Sequence, residues 1–118
     1  MRKHNELKKG TIRQLQKYID AKITSRGFDD ESLQERLLLL VEEIGELVKA
    51  CRKISGMNVD TKKKNFSTVG EELTDCINML FAVGIKLGLD IEKEFLEKEK
   101  IVDKRFYRRA AHKNIAAK

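Results

Sequence analysis

Apolar residues return every three or four positions along most of this chain, the spacing that lays a stripe down one side of an α-helix. Leu37, Leu40, Val41, Ile44, Leu47, Val48 and Cys51 form one such stripe. Val69, Leu73, Cys76, Ile77, Leu80 and Leu87 form another. Proline is absent and the glycines fall between the periodic segments, so the pattern predicts helices joined by short connections. Thr11-x-x-Gln14, Ser32-x-x-Glu35 and Thr68-x-x-Glu71 each fit a capping box, in which a hydroxyl and a side chain three residues on satisfy free backbone N–H groups at a helix start. Gly27, Gly56 and Gly88 read as C-terminal stops, and Asp90 as a direct N-cap. The prediction is an all-α chain with helices near 11–25, 32–54, 68–87 and 90–111.

Polar positions carry the chemistry. Glu42-Glu43-x-x-Glu46 lies on the second predicted helix and Glu72-x-x-Asp75 on the third. Residues three or four apart share a helical face, so Glu43 projects with Glu46, Glu42 stands one turn below Glu46, and Glu72 pairs with Asp75. Like charges so placed repel by a few tenths of a kcal/mol on an exposed helix, and by far more where two such helices face each other, unless a cation holds them. In a chain that is 37% charged, single acidic pairs arise by chance. Here the acids share their side with Leu39 and Ala50 on the second helix, and with Met79 and Ala82 on the third, which implies faces that are partly covered. Hard oxygen donors favour magnesium, manganese or calcium over zinc. The run 41–47 also resembles 70–76 in its order of acids and apolar residues, as if two similar helices faced one metal cluster.

Length and charge narrow the setting. The 118 residues suit one domain, with a core near 11–105 and a basic tail near 106–118. The longest apolar run, Leu37 to Val41, is far short of a membrane span. The first residues, Met1 to Glu6, lack an apolar signal core, so a cytoplasmic protein is expected. Cys51 and Cys76 fall on the apolar stripes and read as reduced packing residues. His4 and His112 stand apart from the acids and from any metal-ligand spacing. The net charge is +6, with Lys98, Lys100, Lys104, Arg105, Arg108, Arg109, Lys113 and Lys118 crowding the C-terminal end, and this implies an anionic partner: nucleic acid, or a small polyphosphate. The connection from Gly56 to Ser67, with Lys62, Lys63 and Lys64, reads as either a solvated loop or a lid.

Taken together these motifs resemble the MazG-type all-α nucleoside triphosphate pyrophosphohydrolases. The resemblance is carried by residues 26–32 (Arg-Gly-Phe-Asp-Asp-Glu-Ser), by Glu-Glu-x-x-Glu within 37–53, by Glu71-Glu72-Leu73-Thr74-Asp75, and by 87–91 (Leu-Gly-Leu-Asp-Ile), and it spans about Thr11 to Arg105. It implies a four-helix bundle completed by dimerisation or tetramerisation. It also implies Mg2+-dependent hydrolysis, with Mn2+ as a substitute, of ribo- or deoxynucleoside triphosphates between the α and β phosphates. Glu43, Glu46, Glu72 and Asp75 would be metal ligands, with Glu42 holding a further metal or orienting water. The family's Lys-x-x-x-Asn-x-x-Arg segment falls on 98–105, where Lys98 and Arg105 match as substrate contacts and Val102 replaces the Asn. Asn78, one turn after Asp75, is either a further contact to substrate or a polar surface residue. Leu38 and Ile85 lie outside both stripes and would be buried by a second subunit. The competing reading is a small basic helical module that binds nucleic acid or another anion through its tail. A di-iron carboxylate bundle is disfavoured, because no Glu here is followed three residues later by His.

Overall fold

The computed structural model describes residues 8–56 and 68–116, and the side chains among them up to 105. Four helices follow one another: α1 Thr11–Ser25, α2 Leu33–Ile54, α3 Val69–Lys86 and α4 Ile91–Ala116; no strand occurs among the described residues. The expected ends hold to within a residue except at α4, which runs on through the stretch expected to be a tail as far as Ala116, the last described residue. The Lys62-Lys63-Lys64 loop and His4 lie outside the described residues.

Local signals set the helix ends. Thr68 accepts from Glu71 N while the Glu71 carboxylate accepts from Thr68 N, a complete capping box. Ser32 accepts from Glu35 N but returns its own hydroxyl proton to the Glu35 carboxylate, so only half of that box forms. The third expectation fails. Gly10, with φ of 89°, takes the N-cap position of α1, and Thr11 is the first helical residue, its hydroxyl donating to Lys8 O. Glycine reaches this left-handed geometry without the Cβ clash a threonine would meet, so Gly10 rather than Thr11 is the N-cap. At the other ends Gly27, Gly56 and Gly88 all have positive φ, as C-terminal stops require.

Arg36 on α2 donates to Ala82 O on α3, while Glu43 on α2 meets Glu72 and Asp75 on α3, so the two helices run antiparallel. α1 packs on α3 and α4 but not on α2. A polar clasp fixes the α1–α4 junction. Arg13 pairs with Asp90 at 3.0 Å and with the buried Glu92 at 3.1 Å, and Gln16 donates to Leu89 O while accepting from Ile91 N. Gly84 lets α4 begin against α3, since a Cβ there would stand 2.9 Å from Ile91 Cδ1.

The apolar stripes pack differently from their appearance in sequence. Leu40 and Leu47 turn partly inward, but Leu37, Val41, Ile44 and Val48 of α2, Leu73 and Leu80 of α3 and its C-cap Leu87 are exposed, Val41 to 68% and Leu80 to 56%. Both exposed arcs lie roughly 100° around from the arc that packs inside the chain. In an antiparallel pair, equal rotations from the contact bring both arcs to the same side. Only Ile19, Ala50, Cys76 and Ala82 are fully buried apolar residues among those described. Cys76 is buried as expected; Cys51 is exposed. Leu38 is exposed and Ile85 half-buried. The Cα radius of gyration is 19.0 Å, against about 13.5 Å for a compact chain of this length. The α4 side chains from Glu97 to Arg105 are all exposed. No helix among the described residues is long and apolar enough to cross a membrane.

Candidate metal centre

The side of α2 that carries Leu39, Glu43 and Ala50 faces α3, whose facing side carries Glu72, Met79 and Ala82. Antiparallel packing then brings two acid motifs far apart in sequence to the same level. One carboxylate oxygen each from Glu43, Glu72 and Asp75 lie within 4.8 Å of one another. Glu72 is buried, Glu43 half-buried and Asp75 exposed, so the cluster runs from the helix interface to solvent. Among the described residues, no lysine or arginine forms an ion pair with any of the three.

That electrostatic imbalance appears in the titration of the groups. Burial, and then the charges of Asp75, Glu72, Glu46 and Glu42, push the Glu43 carboxyl above its ordinary value. Burial, with Glu43, Glu72 and Asp75 adding to it, likewise raises the Cys76 thiol, which makes a resting thiolate unfavourable there. Cys76 is thus a packing residue beneath the acids rather than a nucleophile.

The remaining expected residues are placed less tightly. Glu46 stands one turn along α2 from Glu43, exposed and outside the group of three, and Glu42 is exposed beside them. Lys98 and Arg105 are exposed on the part of α4 that leaves the bundle. Asn78, by contrast, is half-buried and lines a cavity of about 740 Å³ between α1, the α1–α2 connection, α2 and α3. Glu43 lines the same cavity, so the carboxylate cluster opens onto it. Its walls are mostly apolar, with Leu15, Ile19, Ile23, Leu39 and Met79, and they include two aromatic rings, Tyr18 and Phe28.

Several of the lining residues carry no signature in the sequence. Lys22 and Arg26 bring positive charge to the cavity from α1, Lys22 with its Nζ 5.5 Å from the Tyr18 ring centroid. The available signal was the series Leu15, Tyr18, Ile19, Lys22, Ile23, Arg26, which falls on one helical face. Glu31 lines the cavity from the α1–α2 connection. Arg36, fully buried, holds that connection against α3 by donating from Nη1 to Ala82 O and from Nη2 to Phe28 O.

The donor set fits a divalent ion of the magnesium class: hard carboxylate oxygens, close enough to share one ion, graded from buried to open so that coordination positions remain for water or phosphate. Neither a protein-family model nor a curated protein matches this chain.

Proposed function

We propose that this chain is a nucleoside triphosphate pyrophosphohydrolase, adding water across the α–β phosphoanhydride to release a nucleoside monophosphate and pyrophosphate. The observation that supports this reading is that Glu43 belongs both to a three-carboxylate cluster and to the wall of a roomy, largely apolar cavity. An anionic, metal-seeking end and an apolar, aromatic end side by side suit a ligand with a polyphosphate at one end and a base at the other.

Glu43, Glu72 and Asp75 would hold magnesium or manganese, with Glu46 one turn along α2 and Glu42 next to Glu43 for a second ion or for orienting water. Bound there, the metal supplies neutralisation of phosphate oxygens and an activated water, which phosphoryl hydrolysis needs. Lys22 and Arg26 add positive charge within the same cavity and can meet phosphate oxygens there. Neither thiol nor histidine is needed as a nucleophile. Lys98 and Arg105 would take part only if α4 meets the site from another subunit.

A homodimer or a dimer of dimers is part of the proposal. Leu37, Val41, Ile44 and Val48 form with Leu73, Leu80 and Leu87 one exposed apolar face on the antiparallel pair, and so few side chains are buried within one copy that a second copy on this face would supply the missing core.

The test is to incubate the purified chain with ribo- and deoxynucleoside triphosphates, with and without magnesium, and to resolve the products. Magnesium-dependent monophosphate and pyrophosphate are expected, abolished by Glu72→Ala. Nucleoside diphosphate and phosphate, or no turnover of any nucleotide, would overturn the proposal in favour of a binding module.

A further inference from the structure

Two polar side chains outside the carboxylate cluster line the cavity without a hydrogen bond among the described residues, although Glu31 is ion-paired with Arg36. The Glu31 carboxylate is only 18% exposed, and its one polar partner among the described residues is Arg36 Nε at 3.8 Å, beyond hydrogen-bond reach. Arg36 is committed elsewhere: Nη1 donates to Ala82 O at 2.6 Å and Nη2 to Phe28 O at 3.4 Å, which holds the guanidinium back from Glu31 and leaves Nε without an acceptor. Asn78 on α3 is half-buried, and no hydrogen bond reaches its carboxamide among the described residues. In the open cavity water meets such groups, and a ligand that displaces this water gains where it reproduces the hydrogen bond and loses where it cannot.

The two groups differ in what they accept. A carboxylate takes hydrogen bonds and gives none; a carboxamide does both. Asn78 therefore suits any base edge, whereas Glu31 discriminates. Cytosine presents an exocyclic amine where uracil, of the same ring and size, presents a carbonyl oxygen. Set against Glu31, the amine fills the empty acceptor and the carbonyl leaves two acceptors facing each other.

We infer that Glu31 selects nucleotides whose base carries an exocyclic amine, accepting its hydrogen bond inside the cavity while the phosphates lie toward Glu43, Glu72 and Asp75. This rests on the proposed hydrolysis and adds to it a preference and the residue that sets it. A site built around a specific hydrogen bond rejects the analogue lacking it far more strongly than an apolar pocket rejects a change of size.

The decisive comparison is kcat/KM for CTP against UTP, and for dCTP against dUTP, with magnesium, in wild type and Glu31→Gln. Wild type should favour the cytosine nucleotide by about tenfold or more, and Glu31→Gln should bring the ratio to within about threefold, because a carboxamide offers the carbonyl a donor. The ratio is taken within one preparation, so a lower folded fraction cancels. Calorimetric binding of CMP against UMP gives the same contrast without turnover if the variant is inactive. A wild-type ratio near one, or a ratio that Glu31→Gln leaves unchanged, overturns the inference and leaves the hydrolase reading standing. Failure to hydrolyse any triphosphate overturns both.

Discussion

Asp75→Asn should raise the melting temperature of the metal-free protein and lower it once magnesium is present. The cluster holds three carboxylate oxygens within 4.8 Å of one another, and among the described residues no ion pair joins a cationic side chain to them. At 4.8 Å each ionised pair repels by about 0.9 kcal/mol in a fully aqueous dielectric and about 3.5 kcal/mol at an effective dielectric of about 20. Asp75 is the exposed member, so the lower end applies, and removing its charge relieves its two pairs, about 1.7 kcal/mol together. For a domain of this size that corresponds to a rise of roughly 5–9 °C. Magnesium acts in the opposite sense, since an ion at about fifty times its Kd stabilises the folded state by about 2.3 kcal/mol. Losing one of three anionic ligands forfeits most of that gain. Thermal melts at one fixed protein concentration, in chelator and then in millimolar magnesium, should therefore show wild type and variant exchanging rank. A wild type indifferent to both magnesium and manganese, or an Asn variant less stable in both buffers, would refute the reasoning.

Three further outcomes can be checked. Val41→Asp or Leu80→Asp places a charge in the exposed apolar face and should shift sedimentation from an assembly to the monomer; an unchanged mass would show that this face is not the contact. The Asp90 carboxyl is held below its ordinary value by the hydrogen bond from Lys93 N and then by Arg13. With its folded-state pKa lowered, its contribution is present above the unfolded-state value of about 3.9 and is lost as pH falls through the folded one. Asp90→Asn should thus lower the urea midpoint near neutral pH and differ little from wild type in strong acid. Gly84→Ala would set a Cβ 2.9 Å from Ile91 Cδ1 and should cost about 1–3 kcal/mol by thermal melting, with Ile91→Val recovering part of it by removing that methyl.

Helix ends are legible in this sequence because their signals are local: Thr68 with Glu71, Ser32, and the glycines at 27, 56 and 88 each act within a turn of where they stand. Thr11 misleads because Gly10 competes for the same role, and four letters of a capping pattern do not say which neighbour takes the left-handed backbone. Which acids meet is only partly legible. Periodicity places Glu43 and Glu46 on one face, but the rotation and level at which α2 meets α3 decide that Glu43 reaches Glu72 and Asp75 while Glu46 remains outside. Apolar stripes reveal that a face is to be buried and not what buries it, so Val41 and Leu80 look like core in sequence and lie open in a single copy. The cavity is the least legible part. Lys22, Arg26 and Glu31 are ordinary charged residues until α1 and the turn after it are laid across α3, and a buried Arg36 runs against every compositional expectation.

α1 and α2 form two walls of the cavity yet do not pack on each other; each rests on α3, and Arg36 ties down the turn between them through its bond to Phe28 O and its ion pair with Glu31. A molecule seated there would span the gap and touch both walls, bracing α1 from the side opposite its Arg13 clasp. Occupancy should thus be written in the backbone as well as in the products: amides of α1 would exchange with solvent more slowly when the cavity is filled, and the middle of α3, already packed by its neighbours, would change little.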